Sequence, residues 1–146
     1  MEEIIELKTY LEQRNYPAAL TLIGEMEEMG KDDKIHKIYS FMIILLLHLI
    51  KQNAEGRTTR SWEFSIRNSL REIQLVNKRR KTGGWYLTLE EISPIVDEAY
   101  PSALQRAALE AFEGQFNEEE INQKVNETEI KTEALGMIVD IFQIEK

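Results

Sequence analysis

The run SFMIILLLHLIK, Ser40 to Lys51, decides the fold of this chain. It is apolar at nearly every position from Phe41 to Ile50, so a helix drawn through it has no polar side. The strictly apolar part is 10 residues long, whereas a membrane-spanning helix needs about 20. We therefore expect no membrane segment here. The run instead predicts a helix at the centre of a core, surrounded by the other elements.

Length and composition indicate one globular domain over residues 1–146. The chain is 42% hydrophobic and 30% charged, which is typical of a folded protein and not of a disordered one. Cysteine is absent, which excludes disulfides and thiolate metal sites and fits a reducing compartment. The first residues are acidic and lack the features of a secretory signal. We expect a soluble, cytoplasmic protein.

Apolar spacing and capping residues predict helices on both sides of the run. The first helix covers about residues 2–14. Asn15 caps a second helix, which Gly30 is expected to end, since glycine favours the left-handed position after a helix. A third helix, about 32–53, contains the apolar run.

Helices are also predicted along the rest of the chain. A fourth helix, about 60–80, is expected to end at the pair Gly83 and Gly84. Thr88 with Glu91 has the spacing of a capping box, in which each side chain bonds the backbone of the other, and this predicts the start of a fifth helix.

Two prolines and a second capping box organise the C-terminal part. Pro94 and Pro101 each remove a helical N–H, so we expect breaks or kinks there, followed by a helix over about 101–113. Asn117 with Glu120 predicts the start of a last helix, which runs through Phe142. The predicted fold class is all-α, a compact bundle of six or seven helices.

The two histidines do not form a metal or catalytic motif. His48 has no carboxylate or second histidine within one helical turn, and His36 lies 12 residues before it, about 18 Å along a helix. Two interpretations of His48 stay open: a ligand completed by other helices, or a buried side chain bonded to a carboxylate or carbonyl. Zinc-protease, phosphate-loop and serine-elbow motifs are missing. We expect no metal and no cofactor, and an enzyme is not the favoured class.

Charge is unevenly spread along the chain. Residues 51–81 hold nine basic and three acidic side chains, whereas residues 82–146 hold four and fourteen. Four of the basic residues fall within about 40° of one another on a helix: Arg60, Arg67, Arg71 and Lys78. We call this set the basic stripe, and the run Lys78–Lys81 extends its charge. Trp62 and the apolar residues after it should face the core.

Three kinds of partner for the basic stripe stay open. Acidic side chains of the same chain or of a second copy can neutralise it, and so can an acidic partner protein. Nucleic acid is the third, because a stripe of this kind can neutralise several phosphates. The net charge of −8 for the whole chain disfavours nucleic acid.

Two segments resemble a known family. MEEMGKDDKIHKIYSFMIILLLHLIK and RTTRSWEFSIRNSLREI resemble the all-helical domain-of-unknown-function family twenty-nine, which is common in cyanobacteria. The shared pattern is a Glu-rich helix ending in Met-Gly, then Leu-Leu-x-His-Leu-x-Lys, then Arg-Ser-Trp with a following Ile-Arg. The resemblance covers about residues 16–112, and the tail after Gly114 departs from it. It implies a helical fold and no assigned activity.

The resemblance also groups polar residues that are expected near a core. They are Glu25, Glu27, His48, Arg60 and Trp62. One interpretation is a buried network that fixes how helices pack; the other is a pocket for a small anionic ligand. We predict a protein-interaction module without catalysis, bound to another protein or to a second copy. Nucleic-acid binding through the basic stripe is the alternative.

Overall fold

The computed structural model describes residues 2–79 and 81–144, with side chains through Phe142. Within these residues it contains helices and no strand, which confirms the predicted all-α class. The helices are α1 (Glu2–Glu12), α2 (Tyr16–Glu55), α3 (Arg60–Asn77), α4 (Leu89–Glu110), a 3-10 turn (Ala111–Gly114), α5 (Glu118–Lys124) and α6 (Glu127–Ile144). None of the described helices is long and apolar enough to cross a membrane.

The chain consists of two compact units, Met1–Ile35 and His36–Lys146, and the boundary falls inside α2. The single domain expected from the sequence stays a prediction.

The second half of α2 is the buried centre of the unit His36–Lys146, as the apolar run predicted. Six of its side chains are completely buried on different sides of the helix: Ile38, Met42, Leu45, Leu46, Leu49 and Ile50. In the same unit α3 packs on α6, and α4 packs on α5 and α6. Removing this much apolar surface from water is the main source of the unit's stability.

The predicted stop at Gly30 is wrong, because α2 is one continuous helix. Asn15 does cap it, with its Oδ1 accepting from the Ala18 N–H at 3.4 Å. A single glycine costs a helix only about 1 kcal/mol. The residues that follow Gly30 adopt helical angles without strain, and no proline stops them. The two helices predicted on either side of Gly30 are therefore one.

Helix α3 begins where predicted and ends three residues early. The Thr59 hydroxyl accepts from the Trp62 N–H at 3.1 Å and caps the start. At the other end the buried Asn77 side chain bonds both backbone groups of Leu87, at 3.0 and 2.8 Å. These bonds draw the returning chain against Asn77. Gly83 and Gly84, with φ of 75° and 76°, lie in the turn after the helix instead of ending it.

Helix α4 is uninterrupted, so the breaks expected at Pro94 and Pro101 and the separate helix over 101–113 are wrong. The capping box of Thr88 and Glu91 is confirmed. Each proline removes only one backbone hydrogen bond. The apolar face of α4, which includes the fully buried Ile92 and Ala103, gains more from packing than those bonds cost.

The C-terminal part forms two helices instead of the predicted one. The capping box of Asn117 and Glu120 is confirmed, but it opens only the short α5. Val125 is extended, with φ −128° and ψ 166°. Asn126 then caps α6 by accepting from the Glu129 N–H at 3.1 Å. A second local cap, which the sequence prediction overlooked, separates the two.

The unit Met1–Ile35 buries very little. Helix α1 has no buried side chain, and in the first half of α2 only Ala19 and Leu22 are buried. Leu20 is 69% exposed. Tyr16, Leu20 and Ile23 fall within about 60° of one another on the helix. This unit therefore presents an apolar face to solvent.

Candidate functional site

The outer face of α3 carries exposed arginines interleaved with exposed apolar side chains. Arg60, Arg67 and Arg71 are all exposed. Phe64 is 57% and Leu75 is 54% exposed, and helical spacing places both beside the arginines. The opposite face holds Ile66, Leu70 and Ile73, all buried as predicted.

No carboxylate of the described chain lies within ion-pair distance of these three arginines. Arg71 donates to the Asn68 Oδ1 at 3.2 Å, a neutral contact on the same helix. Among the described residues of the unit His36–Lys146, pairing of Arg60, Arg67 or Arg71 with an acid of the same chain, one of the partners left open by the sequence, is therefore not found.

The fourth member of the basic stripe, Lys78, is not on the helix. It has φ −80° and ψ 131° and forms an isolated antiparallel bridge with Trp85. Lys78 is the residue that caps α3, and its N–H still donates to the Gln74 carbonyl, so its alignment with the arginines stays a prediction. Arg80, part of the predicted extension of the stripe, lies outside the described residues. We use "α3 stripe" below for Arg60, Phe64, Arg67, Arg71 and Leu75.

The residues predicted to form a polar network fall in both units. Glu25 and Glu27 are exposed on α2 within Met1–Ile35. In the other unit, the half-buried His48 donates from Nδ1 to the Ile44 carbonyl at 2.8 Å, which anchors its ring to its own helix. Arg60 is exposed. A network joining the two glutamates to His48 or Arg60 stays a prediction.

Trp62, the fifth of those residues, is the centre of a different cluster. The Lys51 Nζ lies 4.6 Å and the Arg57 Cζ 4.7 Å from its ring centroid, within the range of cation–π attraction. Lys51 is only 6% exposed and pairs with the Glu110 carboxylate at 2.9 Å. Arg57 pairs with Glu55 at 3.0 Å. The half-buried indole thus contacts two paired cations.

A pocket of about 330 Å³ opens beside this cluster, within the usual size range of ligand sites. Three carboxylates and two aromatic rings contribute to its lining: Glu55, Glu110, Glu113, Trp62 and Phe112. Arg57 is its basic lining residue. Of the five residues in the predicted network, this pocket includes Trp62.

The part of the pocket wall that directly follows α4 in sequence has an unusual backbone conformation. Phe112 and Glu113 have φ of 50° and 57°, a left-handed conformation that costs a residue with a side chain roughly 1–2 kcal/mol. Gly114 continues it with φ 77°, and a Cβ there would lie 3.2 Å from the Leu109 carbonyl oxygen. Glycine is thus required at 114, whereas 112 and 113 hold their conformation despite their side chains.

Sequence reasoning missed Lys51, Glu110 and the 112–114 segment as site residues. Lys51 and Glu110 are 59 positions apart, so no local pattern joins them. The available signals for Lys51 were its place directly after the apolar run and its place as the lysine of the family pattern.

A second polar cluster surrounds Tyr100. Its hydroxyl donates to the Asn122 Oδ1 at 2.8 Å. Burial, together with the nearby Glu127 carboxylate, raises the pKa of Tyr100 to about 12. Lys131 Nζ pairs with Glu127 at 2.9 Å and Asp97 at 3.1 Å; the bond to Glu127, foremost, raises the pKa of Lys131. This cluster ties α4, α5 and α6 together.

No group of three His, Asp or Glu side chains within residues 2–79 and 81–144 is arranged to hold a metal ion. His48 has Ile44 as its hydrogen-bond partner. The structure therefore offers two candidate sites in the unit His36–Lys146, the α3 stripe and the pocket beside Trp62.

Comparison with known protein families gives a match. The family model described as a domain of unknown function, DUF29, matches residues 10–130. No curated protein and no solved structure matches the chain.

Proposed function

The chain belongs to the family of the domain of unknown function DUF29, and we propose that it is a protein-interaction module whose α3 stripe binds the N-terminal segment of a second copy. The N-terminal segment means residues 2–35. The observation that carries this proposal is the set of three exposed arginines, Arg60, Arg67 and Arg71, without a carboxylate partner in the described chain.

The α3 stripe has the composition of a protein contact. Exposed arginine and aromatic side chains are enriched in interfaces, and here Phe64 and Leu75 supply apolar surface between the charges. An occupant of this surface therefore needs acidic groups and apolar side chains on one face.

The N-terminal segment has both. It holds nine acidic and four basic side chains. Its exposed apolar face of Tyr16, Leu20 and Ile23 includes the exposed Glu27, which has the same helical direction to within about 60°. Charge and apolar surface of the segment thus complement the α3 stripe. A contact made reciprocally by two copies closes a symmetric dimer.

Light scattering tests this proposal with the full-length chain. We expect a dimer at low salt that dissociates at high salt, since exposed charge pairs are screened. Arg67→Glu with Arg71→Glu should give a monomer at low salt. Arg106→Glu is the matched control, because Arg106 is exposed on α4 outside the stripe, and it should leave the dimer intact.

A charge exchange identifies the segment that occupies the stripe. Glu27→Arg alone should weaken the dimer, and combining it with Arg67→Glu in one chain should restore part of the association. A wild-type chain that stays monomeric at both salts would overturn the proposal. A dimer that the charge exchange leaves unchanged would overturn the role of the N-terminal segment.

Nucleic acid is the second candidate, favoured by one observation. The exposed Phe64 lies among the arginines, an arrangement in which a base stacks on the ring while phosphates meet the cations. The block 51–81 carries +6 within a chain of −8, which leaves −14 elsewhere and repels a polyanion. Salt-sensitive retention on single-stranded DNA that Arg67→Glu with Arg71→Glu abolishes would support this candidate.

A further inference from the structure

We infer that the pocket beside Trp62 binds a guanidinium group, and that the chain's own Arg57 occupies this place when no ligand is bound. This inference is independent of self-association through the α3 stripe. It concerns different side chains and predicts a ligand that the DUF29 description does not assign.

The place of Arg57 shows which chemistry the pocket recognises. Its guanidinium carbon lies 4.7 Å from the Trp62 ring centroid, and its Nε donates to the Glu55 carboxylate at 3.0 Å. An aromatic face plus a carboxylate is the combination that holds a planar cation. The pocket therefore already binds one guanidinium group.

Arg57 is also easy to displace. Its side chain is 56% exposed, and its ion-pair partner Glu55 is only two residues away. A pair of this kind between local, solvent-exposed groups stabilises by little. Glu55 by contrast is well buried, with 11% of its side chain exposed, so the carboxylate stays in place when Arg57 leaves.

The rest of the lining favours a cation over an anion. Glu110 is neutralised by Lys51 and Glu55 by Arg57. Glu113 has no ion-pair or hydrogen-bond partner in the described part of the chain. When Arg57 moves out, two carboxylates, Glu55 and Glu113, line the pocket without a cation. An anion entering there would meet their repulsion.

The pocket wall also includes Glu113. Its backbone is in the left-handed conformation, and its exposed side chain has no hydrogen bond or ion pair in the described part of the chain. Phe112, by contrast, packs edge-to-face on Phe116 with centroids 5.1 Å apart. The pocket gives Glu113 a role as the ligand's second carboxylate.

The test uses the two indole N–H signals in the NMR spectrum of the full-length chain, assigned with Trp85→Phe. The probe is N-acetyl-arginine amide, and the control is N-acetyl-citrulline amide, which has the same shape without the charge. We expect the Trp62 signal to shift with the arginine probe alone. The Trp85 signal should stay in place, because Trp85 stacks on Phe142 at 4.3 Å and does not line the pocket.

Three variants separate this inference from a nonspecific cation effect. Arg57→Gln removes the internal occupant and should tighten binding about threefold to fivefold, since an exposed local pair stabilises by at most about 1 kcal/mol. Glu113→Gln should weaken binding about threefold, within the range for exposed charge pairs. Glu133→Gln, an exposed glutamate of α6, is the matched control and should change nothing.

Glu113→Gly adds a second readout. It should raise the thermal unfolding midpoint, because glycine adopts a positive φ without strain, while it weakens binding of the probe. Equal shifts with the arginine and citrulline probes, or unchanged affinity in Arg57→Gln, would overturn the inference. A short arginine-containing peptide distinguishes the source: tighter binding than the amide indicates a protein ligand, and equal binding indicates that a free guanidinium compound suffices.

Discussion

The two halves of α2 belong to one continuous helix and differ in almost every physical respect. From Tyr16 to Ile35 the helix buries only Ala19 and Leu22 and leaves Leu20 exposed. From His36 to Glu55 it buries side chains on most of its sides. The first half carries acids, and no Asp or Glu occurs from His36 to Ala54.

This difference shows that forming a helix and forming a hydrophobic core depend on different properties of the sequence. Favourable residues suffice to continue the helix through Gly30, whereas stability comes from the apolar surface that only the second half buries. The first half has apolar side chains that its own unit leaves exposed. We therefore assign stability to the unit His36–Lys146, whereas the self-association proposed above rests on residues 2–35.

The largest expected effect tests that assignment directly. Leu46→Ala in the buried half should lower the free energy of unfolding by about 3 kcal/mol, because Leu46 is completely buried. Leu20→Ala in the exposed half should change it by less than about 0.5 kcal/mol. Urea unfolding followed by tryptophan fluorescence measures the unit His36–Lys146, because both Trp62 and Trp85 lie in it. A large loss in Leu20→Ala at concentrations where the chain is monomeric would contradict the comparison.

The second largest loss of stability is expected from a change at a buried polar residue, Asn77. Asn77→Ala leaves the Leu87 N–H and carbonyl without their partners, and we expect a loss of about 2 kcal/mol. Asn68→Ala is the control, because Asn68 only accepts from Arg71 on the exposed face. The same urea experiment measures both. A loss in Asn77→Ala no larger than in the control would show that these bonds contribute nothing net to the core unit.

The stability of the same unit at alkaline pH tests the environment of the buried Tyr100 hydroxyl. Its pKa is raised from 10.0 to about 12, so the folded state holds the proton more tightly than the unfolded state. The stabilisation is complete below about pH 10 and is lost as the pH rises through about 12. The wild type should therefore lose about 1.4 kcal/mol relative to Tyr100→Phe between about pH 9 and pH 11.

Comparing these two proteins isolates the phenol, because the other titrating groups are common to both. Loss of the bond to Asn122 lowers the stability of Tyr100→Phe by a constant amount below about pH 10. A stability difference that is the same at both pH values would show that the Tyr100 hydroxyl does not resist ionisation in the fold.

Features set by local sequence were predictable, and features set by distant contacts were not. The capping boxes at Thr88 and Asn117 depend on residues three positions apart and are confirmed. The central helix followed from the apolar run alone. The direction of Arg60, Arg67 and Arg71 followed from helical spacing, whereas the end of α3 at Asn77 did not, because the contact of Asn77 lies ten residues onward.

The pocket illustrates the same limit. Trp62 and Lys51 both belong to the family pattern, but the pair of Lys51 with Glu110 joins helices far apart in sequence. The left-handed segment at Phe112 and Glu113 has only Gly114 as a local signal. The prolines of α4 show that a local rule can also mislead. The rule predicted breaks at the prolines, and tertiary packing keeps the helix continuous.

The smallest expected effect is that of a substitution at Gly30. It distinguishes a helix that continues through Gly30 from a helix that ends there. A methyl group added at Gly30 meets no atom within 4 Å, and Gly30 has no positive φ. Gly30→Ala should therefore stabilise the helix by about 0.5–1 kcal/mol. Hydrogen exchange of the amides around residue 30 should slow by the corresponding factor, about two- to fivefold. If Gly30 instead ended a helix in the left-handed conformation, alanine would be strained there and exchange would accelerate. Gly83→Ala is the control for a glycine in the left-handed conformation. Gly83 has φ 75°, so alanine there should destabilise the fold.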